Sequence, residues 1–208
     1  TTEGIARAQA ERWRNNPYYD DAESKMERHW NEIVFPIIRD ADFSSVLELA
    51  CGHGRNSERI LKHAGRLTLV DVNQENVDFC RKRFSGRDAD IEYVVNNGAL
   101  LTQIPSQWIS LVYCYDSMVH FHSDVVRSYL REFRRILRPG GRAFLHHSNS
   151  TSSPGELDIK KHRAGRNFMS QSMFLHYAIT EGLSVISSKI IDWGGEKNLD
   201  CLTYLESR

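Results

Sequence analysis

From about residue 45 onward the apolar positions alternate between two spacings, one suited to short strands and one to helices. Val46-Leu47-Glu48-Leu49 reads as a buried strand, followed by a glycine-rich turn. A helix over about 56–63 then carries Ile60, Leu61 and Ala64 on one face, and Gly65 closes it. Leu67–Val72 is a second strand, and Asn73 opens a helix carrying Val77, Cys80 and Phe84. Ile91–Val95 and Leu111–Tyr115 are strands three and four. The strongest helical pattern starts at Ser123, with Val125, Val126, Tyr129, Leu130, Phe133, Ile136 and Leu137 at steps of one, three or four. Pro139-Gly140-Gly141 ends that helix, and Arg142–His147 is strand five.

The last quarter changes character. A helix over about 170–181 leads into Leu183–Asp192 and Leu199–Glu206, joined by the short connection Trp193–Asn198. So brief a link makes the pair an antiparallel hairpin at one end of the sheet. Upstream, Met26, Trp30, Ile33, Val34, Ile37 and Ile38 mark an amphipathic helix starting near Asp20 or Asp21. The pattern predicts an α/β fold: a doubly wound, mostly parallel seven-stranded sheet with helices on both faces and an antiparallel C-terminal hairpin. It predicts a single domain over 1–208, with residues 1–40 as a helical arm or lid and 45–206 as the core. Residues 1–21 are expected to be mobile until a ligand closes them.

Composition narrows the field. Of 208 residues, 27 are Lys or Arg and 27 are Asp or Glu, so no net charge draws the chain to nucleic acid or an anionic membrane. The one basic run, Lys160-Lys161-His162-Arg163 with Arg166, suits a solvated loop. No apolar stretch nears the roughly 20 residues needed to span a bilayer. Thr1–Arg14 lacks the apolar core of a signal peptide. Cys51, Cys80, Cys114 and Cys201 fall in apolar segments without C-x-x-C spacing, which fits a reduced, cytoplasmic protein.

Candidate chemistry collects at the ends of the strands. Glu48, Ala50, Gly52 and Gly54 lie where strand one meets its helix, beside Arg55 and Asn56. Glycines there let backbone approach a ligand, and the helix start offers free N–H groups. Asp71 and Val72 end strand two, where a carboxylate can accept hydrogen bonds from both hydroxyls of a ribose. Asn97, Gly98 and Ala99 follow strand three, where an amide and a backbone N–H can read an adenine edge. Each position alone also suits a cap or a turn; in order, at three successive strand ends, they point to one nucleoside ligand.

The segment 45–206 resembles the class I S-adenosylmethionine-dependent methyltransferases. The resemblance rests on Glu48-Leu49-Ala50-Cys51-Gly52-His53-Gly54, continued by Arg55-Asn56-Ser57, and on Leu137-Arg138-Pro139-Gly140-Gly141 before strand five. Ala50 stands where the family usually has its first glycine. The resemblance implies S-adenosylmethionine as cofactor, Asp71 as the ribose-binding acid, Asn97 as the adenine-binding residue and Tyr115 and Asp116 as further cofactor contacts. A dinucleotide fingerprint would need glycine where Ser57 stands, and its fold would continue with parallel strands.

Methyl transfer is an in-line displacement in which the protein positions both reactants and, for a hydroxyl acceptor, removes a proton. His120, after strand four, and His146 and His147, in strand five, are the candidate bases; neighbours on a strand face opposite ways, so only one of the last two can serve. His53, His63 and His122 read as ordinary packed or surface residues. Tyr18, Tyr19 and Trp30 on the arm, with Arg163 in the loop 151–168, are the candidates for holding a small-molecule acceptor, a hydroxyl (of a sugar, for instance) first and an amine second. No metal site is assigned; a metal-assisted alternative would use Asp116 and Asn149, but Asn149 follows Ser148 instead of an acid. Neither a nucleic-acid nor a membrane partner is expected, and a homodimer is left open. A non-catalytic cofactor-binding subunit is the remaining alternative.

Overall fold

The computed structural model describes residues 1–14 and 16–208. Seven strands form one sheet in the order β3-β2-β1-β4-β5-β7-β6: β1 Val46–Leu49, β2 Arg66–Asp71, β3 Asp90–Val95, β4 Ile109–Cys114, β5 Leu137–Ser148, β6 Leu183–Trp193 and β7 Glu196–Ser207. β1 to β5 run parallel, and β7 lies antiparallel between β5 and β6. The alternating helices are α1 Thr2–Ala10, α2 Tyr18–His29, α3 Phe35–Ile38, α4 Ser57–Ile60, α5 Gln74–Arg83, α6 Ser123–Ile136 and α7 Gln171–Thr180.

Each buried strand sends successive side chains to opposite faces, and the two faces carry separate cores. Leu47, Leu49, Val112, Cys114, Ala143 and Leu145 pack with α1, α6 and α7. Val46, Leu67, Leu69, Leu111, Tyr113 and Phe144 pack with α2 to α5. Trp30 belongs to this second core, stacked near Phe35 and His63. Between α2 and α3 the backbone widens into one π-helical turn, Trp30–Val34, just before Pro36, which has no N–H to give.

Two connections differ from the sequence reading. Leu137 already pairs with Ile109 before the Pro139-Gly140-Gly141 excursion, and the ladder resumes at Arg142↔Leu111. The hairpin turns on only two residues, Gly194 and Gly195, at φ 59° and 86°, with Trp193 facing Glu196. Two successive positive φ values suit the twist of the flanking strands, which is why this turn favours Gly-Gly. Among the described residues no helix is long and apolar enough to cross a membrane.

Candidate functional site

Strand β1 delivers the chain into a turn in which Ala50, Gly52 and Gly54 all have positive φ, of 57°, 53° and 80°. A Cβ on Gly52 would stand 2.6 Å from the ring of Tyr19, and one on Gly54 would stand 2.9 Å from Phe84. The glycines are therefore required by the arm and by the end of α5, a demand the sequence assigned to a ligand. Gly52 N donates to Asp71 Oδ2 at 3.0 Å, while Asp71 Oδ1 accepts from Asn73 N at 2.9 Å and Asn76 Nδ2 at 3.2 Å. Burial raises the Asp71 carboxyl above its ordinary value, against the pull of these donors. Asn76 Nδ2 also donates to the Tyr19 hydroxyl, at 3.0 Å, and Asn76 Oδ1 is buried without a partner.

A cavity of about 960 Å³, part of it open to solvent, lies between the arm and the carboxyl ends of β1 to β4. Gly52, Asp71, Val72 and Gly98 line it where Ala6 of α1 closes in; a Cβ on Gly98 would stand 2.8 Å from Ala6 Cβ. Arg55, Asp116 and Tyr18 also line it. Asp116, at φ 57°, accepts from the Tyr18 hydroxyl at 2.5 Å and from Arg55 Nη2 at 2.7 Å through one oxygen. Burial alone would raise the Asp116 carboxyl, but Arg55 and the other donors hold it below its ordinary value. Burial, with Asp116 beside it, pushes the Tyr18 hydroxyl far up, so it remains a donor.

The three candidate histidines separate. His120 lines the cavity, its ring 4.5 Å from that of Trp13. Its Nδ1–H donates to the Gly165 carbonyl at 2.7 Å, which leaves the Nε2 lone pair unspent among the described residues. Burial, helped by Arg166, lowers its pKa to about 4, so the ring is neutral near pH 7. His146 is not available as a base: Nδ1 accepts from Asp116 N at 3.2 Å and Nε2–H donates to Asp200 Oδ2 at 3.0 Å. His147 points to the opposite face, stacked on Phe174 at 3.6 Å and bonded to Ser148 O and the Thr203 hydroxyl. Burial drives its pKa to about 3.

Several other candidates also stand apart from the cavity. Asn97 closes its own turn, accepting from Ala99 N and Leu100 N and donating to Glu3; its neighbour Asn96 lines the cavity instead. Ala99 is buried, with its carbonyl taken by Ser128. Glu48 sits behind the turn, holding the Ser57 hydroxyl. The Tyr115 side chain is buried against Phe144, His146 and Trp193. Trp30 is core, and Arg163 pairs with Glu196 at the surface. Asn149 spends its amide on Gln171 N and Asn198 O, so it does not join Asp116. Among the described residues no three metal-binding side chains cluster. Tyr18, Tyr19, Ala50, Asn56 and Val72 do reach the cavity, as do Trp13, Gln9 and Phe121, which the sequence reading missed.

Residues 46–141 match the family model described as "Methyltransferase domain". These residues form a methyltransferase domain of the class I, S-adenosylmethionine-dependent family. Among curated relatives, nodulation protein S of Rhizobium tropici is 26% identical over 133 residues, 62% of this chain and 51% of that protein. Ubiquinone biosynthesis O-methyltransferase of Coxiella burnetii is 24% identical over 99 residues, 48% of this chain and 41% of that one. The chain thus spans about half the length of the curated relatives it matches. Geranyl diphosphate C-methyltransferase of Streptomyces coelicolor A3(2), solved with Mg2+, geranyl diphosphate and S-adenosyl-L-homocysteine, shares the fold with a TM-score of 0.70 at 15% identity, covering 93% of this chain and 84% of that one.

The cavity suits the family's cofactor on its own chemistry. A buried carboxylate (Asp71) and an unpartnered amide oxygen (Asn76) suit a diol. Leu49, Val72 and Val125 offer apolar surface to a purine, and the Arg55–Asp116 pair offers both charges to an amino-acid end.

Proposed function

We propose that this chain transfers a methyl group from S-adenosylmethionine to a small-molecule hydroxyl, with His120 as the group that takes the proton. The observation that carries the reading is the single cavity that the glycine turn, Asp71, Asp116 and His120 line together. The cofactor supplies a methyl on a sulfonium, activated for displacement. Asp71 and Asn76 would hold the ribose, Val72 and Gly98 would flank the base, and Arg55 and Asp116 would orient the amino-acid end. His120, neutral and with Nε2 unspent, would accept the hydrogen bond of an incoming hydroxyl, while Trp13, Tyr18 and Phe121 exclude water around it.

A neutral ring with its Nε2 lone pair unspent serves an incoming hydroxyl, which must lose a proton, and is not needed by a neutral amine; that favours a hydroxyl. Of the three similar proteins named above, one is by name an O-methyltransferase and one a C-methyltransferase, so their names do not choose the acceptor atom. Trp13 offers a flat face that suits a sugar or an aromatic ring.

The test is incubation with methyl-labelled S-adenosylmethionine and panels of sugar, phenol and amine acceptors. Label in a methyl ether, lost in His120→Ala, supports the reading. Label only in amines, unaffected by that substitution, overturns the hydroxyl and His120 assignment.

A further inference from the structure

Asp200, on β7, was not singled out by any local pattern, yet it is fully buried and accepts three hydrogen bonds. His146 Nε2 donates to Oδ2 at 3.0 Å, Arg166 Nη2 to Oδ2 at 2.7 Å and Arg166 Nε to Oδ1 at 2.9 Å. Burial opposes the charge, but His146 and Arg166 hold the carboxyl at about 2, so it is ionised.

An ionised carboxylate can only accept, which puts the His146 proton on Nε2 and leaves a lone pair on Nδ1. That lone pair meets the backbone N–H of Asp116 at 3.2 Å. Asp116 is a non-glycine residue at φ 57°, a conformation the chain keeps only where surroundings impose it. On the other side, the Arg166 fork fixes the segment 163–167. The Gly165 carbonyl then takes the Nδ1–H of His120 at 2.7 Å. Asn167 locks the same turn, donating from N to Val119 O at 3.1 Å and from its side chain to His120 O. The result is a chain of contacts from Asp116 through His146, Asp200, Arg166 and Gly165 to His120.

We propose that Asp200 is a positioning residue, a buried carboxylate that acts through His146 and Arg166 to hold the Asp116 turn and to fix His120 with its Nε2 lone pair toward the cavity. Its functional meaning rests on the reading of His120 as the group on the acceptor side and of Asp116 as a contact to the cofactor's amino-acid end. A purely structural Asp200 would do no more than balance the charge of Arg166, and such a role would not select a tautomer at His120.

The experiment uses the full chain with 15N-labelled histidine, whose long-range 1H–15N spectra report the tautomer of each ring. Wild type should show His120 as the Nδ1–H form and His146 as the Nε2–H form. Asp200→Asn alone strands a guanidinium, so the decisive variant is Asp200→Asn with Arg166→Gln, which removes both charges. In that double variant both rings should lose their single tautomer and show a mixture. Both rings keeping single tautomers in the folded double variant overturns the proposal. So does a wild type in which His120 carries its proton on Nε2 or His146 carries one on Nδ1, a result that needs no variant to fold. Failure of the functional reading shows separately, as wild-type protein that does not bind S-adenosylhomocysteine.

Discussion

Glu48→Gln isolates the acid of the glycine turn. Glu48 is fully buried on β1, holds the Ser57 hydroxyl at the start of α4, and leaves Oε1 without a partner. Burial pushes its carboxyl from an ordinary 4.5 up to about 7. The folded chain therefore keeps a proton that the unfolded chain releases, so Glu48 favours folding least at high pH. With ~1.4 kcal/mol per pKa unit, its ionisation costs about 1 kcal/mol at pH 5 and about 3 kcal/mol at pH 8. Glutamine cannot ionise, and any fixed packing cost of the substitution is the same at both pH values. The difference in unfolding free energy, wild type minus Glu48→Gln, should therefore fall by roughly 2 kcal/mol from pH 5 to pH 8. Urea unfolding of both proteins at the two pH values reads this directly. A difference that is flat with pH, or that grows, refutes the reasoning and returns Glu48 to a solvated or paired state.

Asp71→Ala should weaken binding of S-adenosylhomocysteine by about 1.5–3 kcal/mol and also lower the melting temperature, because Gly52 N, Asn73 N and Asn76 lose their acceptor; calorimetric titration and a thermal melt check the two effects. Gly52→Ala should destabilise the fold through the clash with Tyr19, and Tyr19→Ala in the same chain should restore part of the melting temperature. His120→Ala should lower methyl transfer to a hydroxyl by roughly 10²–10⁴-fold with cofactor affinity kept. Because burial lowers His120 to about 4, the wild-type rate should hold down to pH 5 and fall only as the ring protonates below that; a rate falling near pH 6.5 contradicts this. Deleting residues 1–21 should weaken cofactor binding as well as turnover, since Ala6, Trp13, Tyr18 and Tyr19 line the cavity at the strand ends; a titration of the truncated chain decides.

The sheet was legible because its strands are short apolar runs punctuated by Gly, Asn and Pro, and each run folds with its own neighbours. The positions of the glycine turn and of Asp71 were legible because each ends a short apolar strand, although the bond between them spans 19 residues. What local pattern cannot carry is the direction of a side chain past a strand end or a partner far along the chain. Asn96 and Asn97 are adjacent, and only the turn that Asn97 itself closes sends Asn96 to the cavity. His146 and His147 were placed on opposite faces by the strand period, but Asp200, which occupies His146, lies 54 residues later. Trp30 falls on an apolar stripe, and that stripe turned out to be core.

The central claim is that the cavity at the ends of β1 to β4 binds S-adenosylmethionine. Titration calorimetry of the full chain with S-adenosylmethionine, S-adenosylhomocysteine and NAD tests it most directly. The account predicts one saturable site for the first two, weakened together by Asp71→Ala, and no heat with NAD. Binding of NAD with none for either methionine derivative contradicts it.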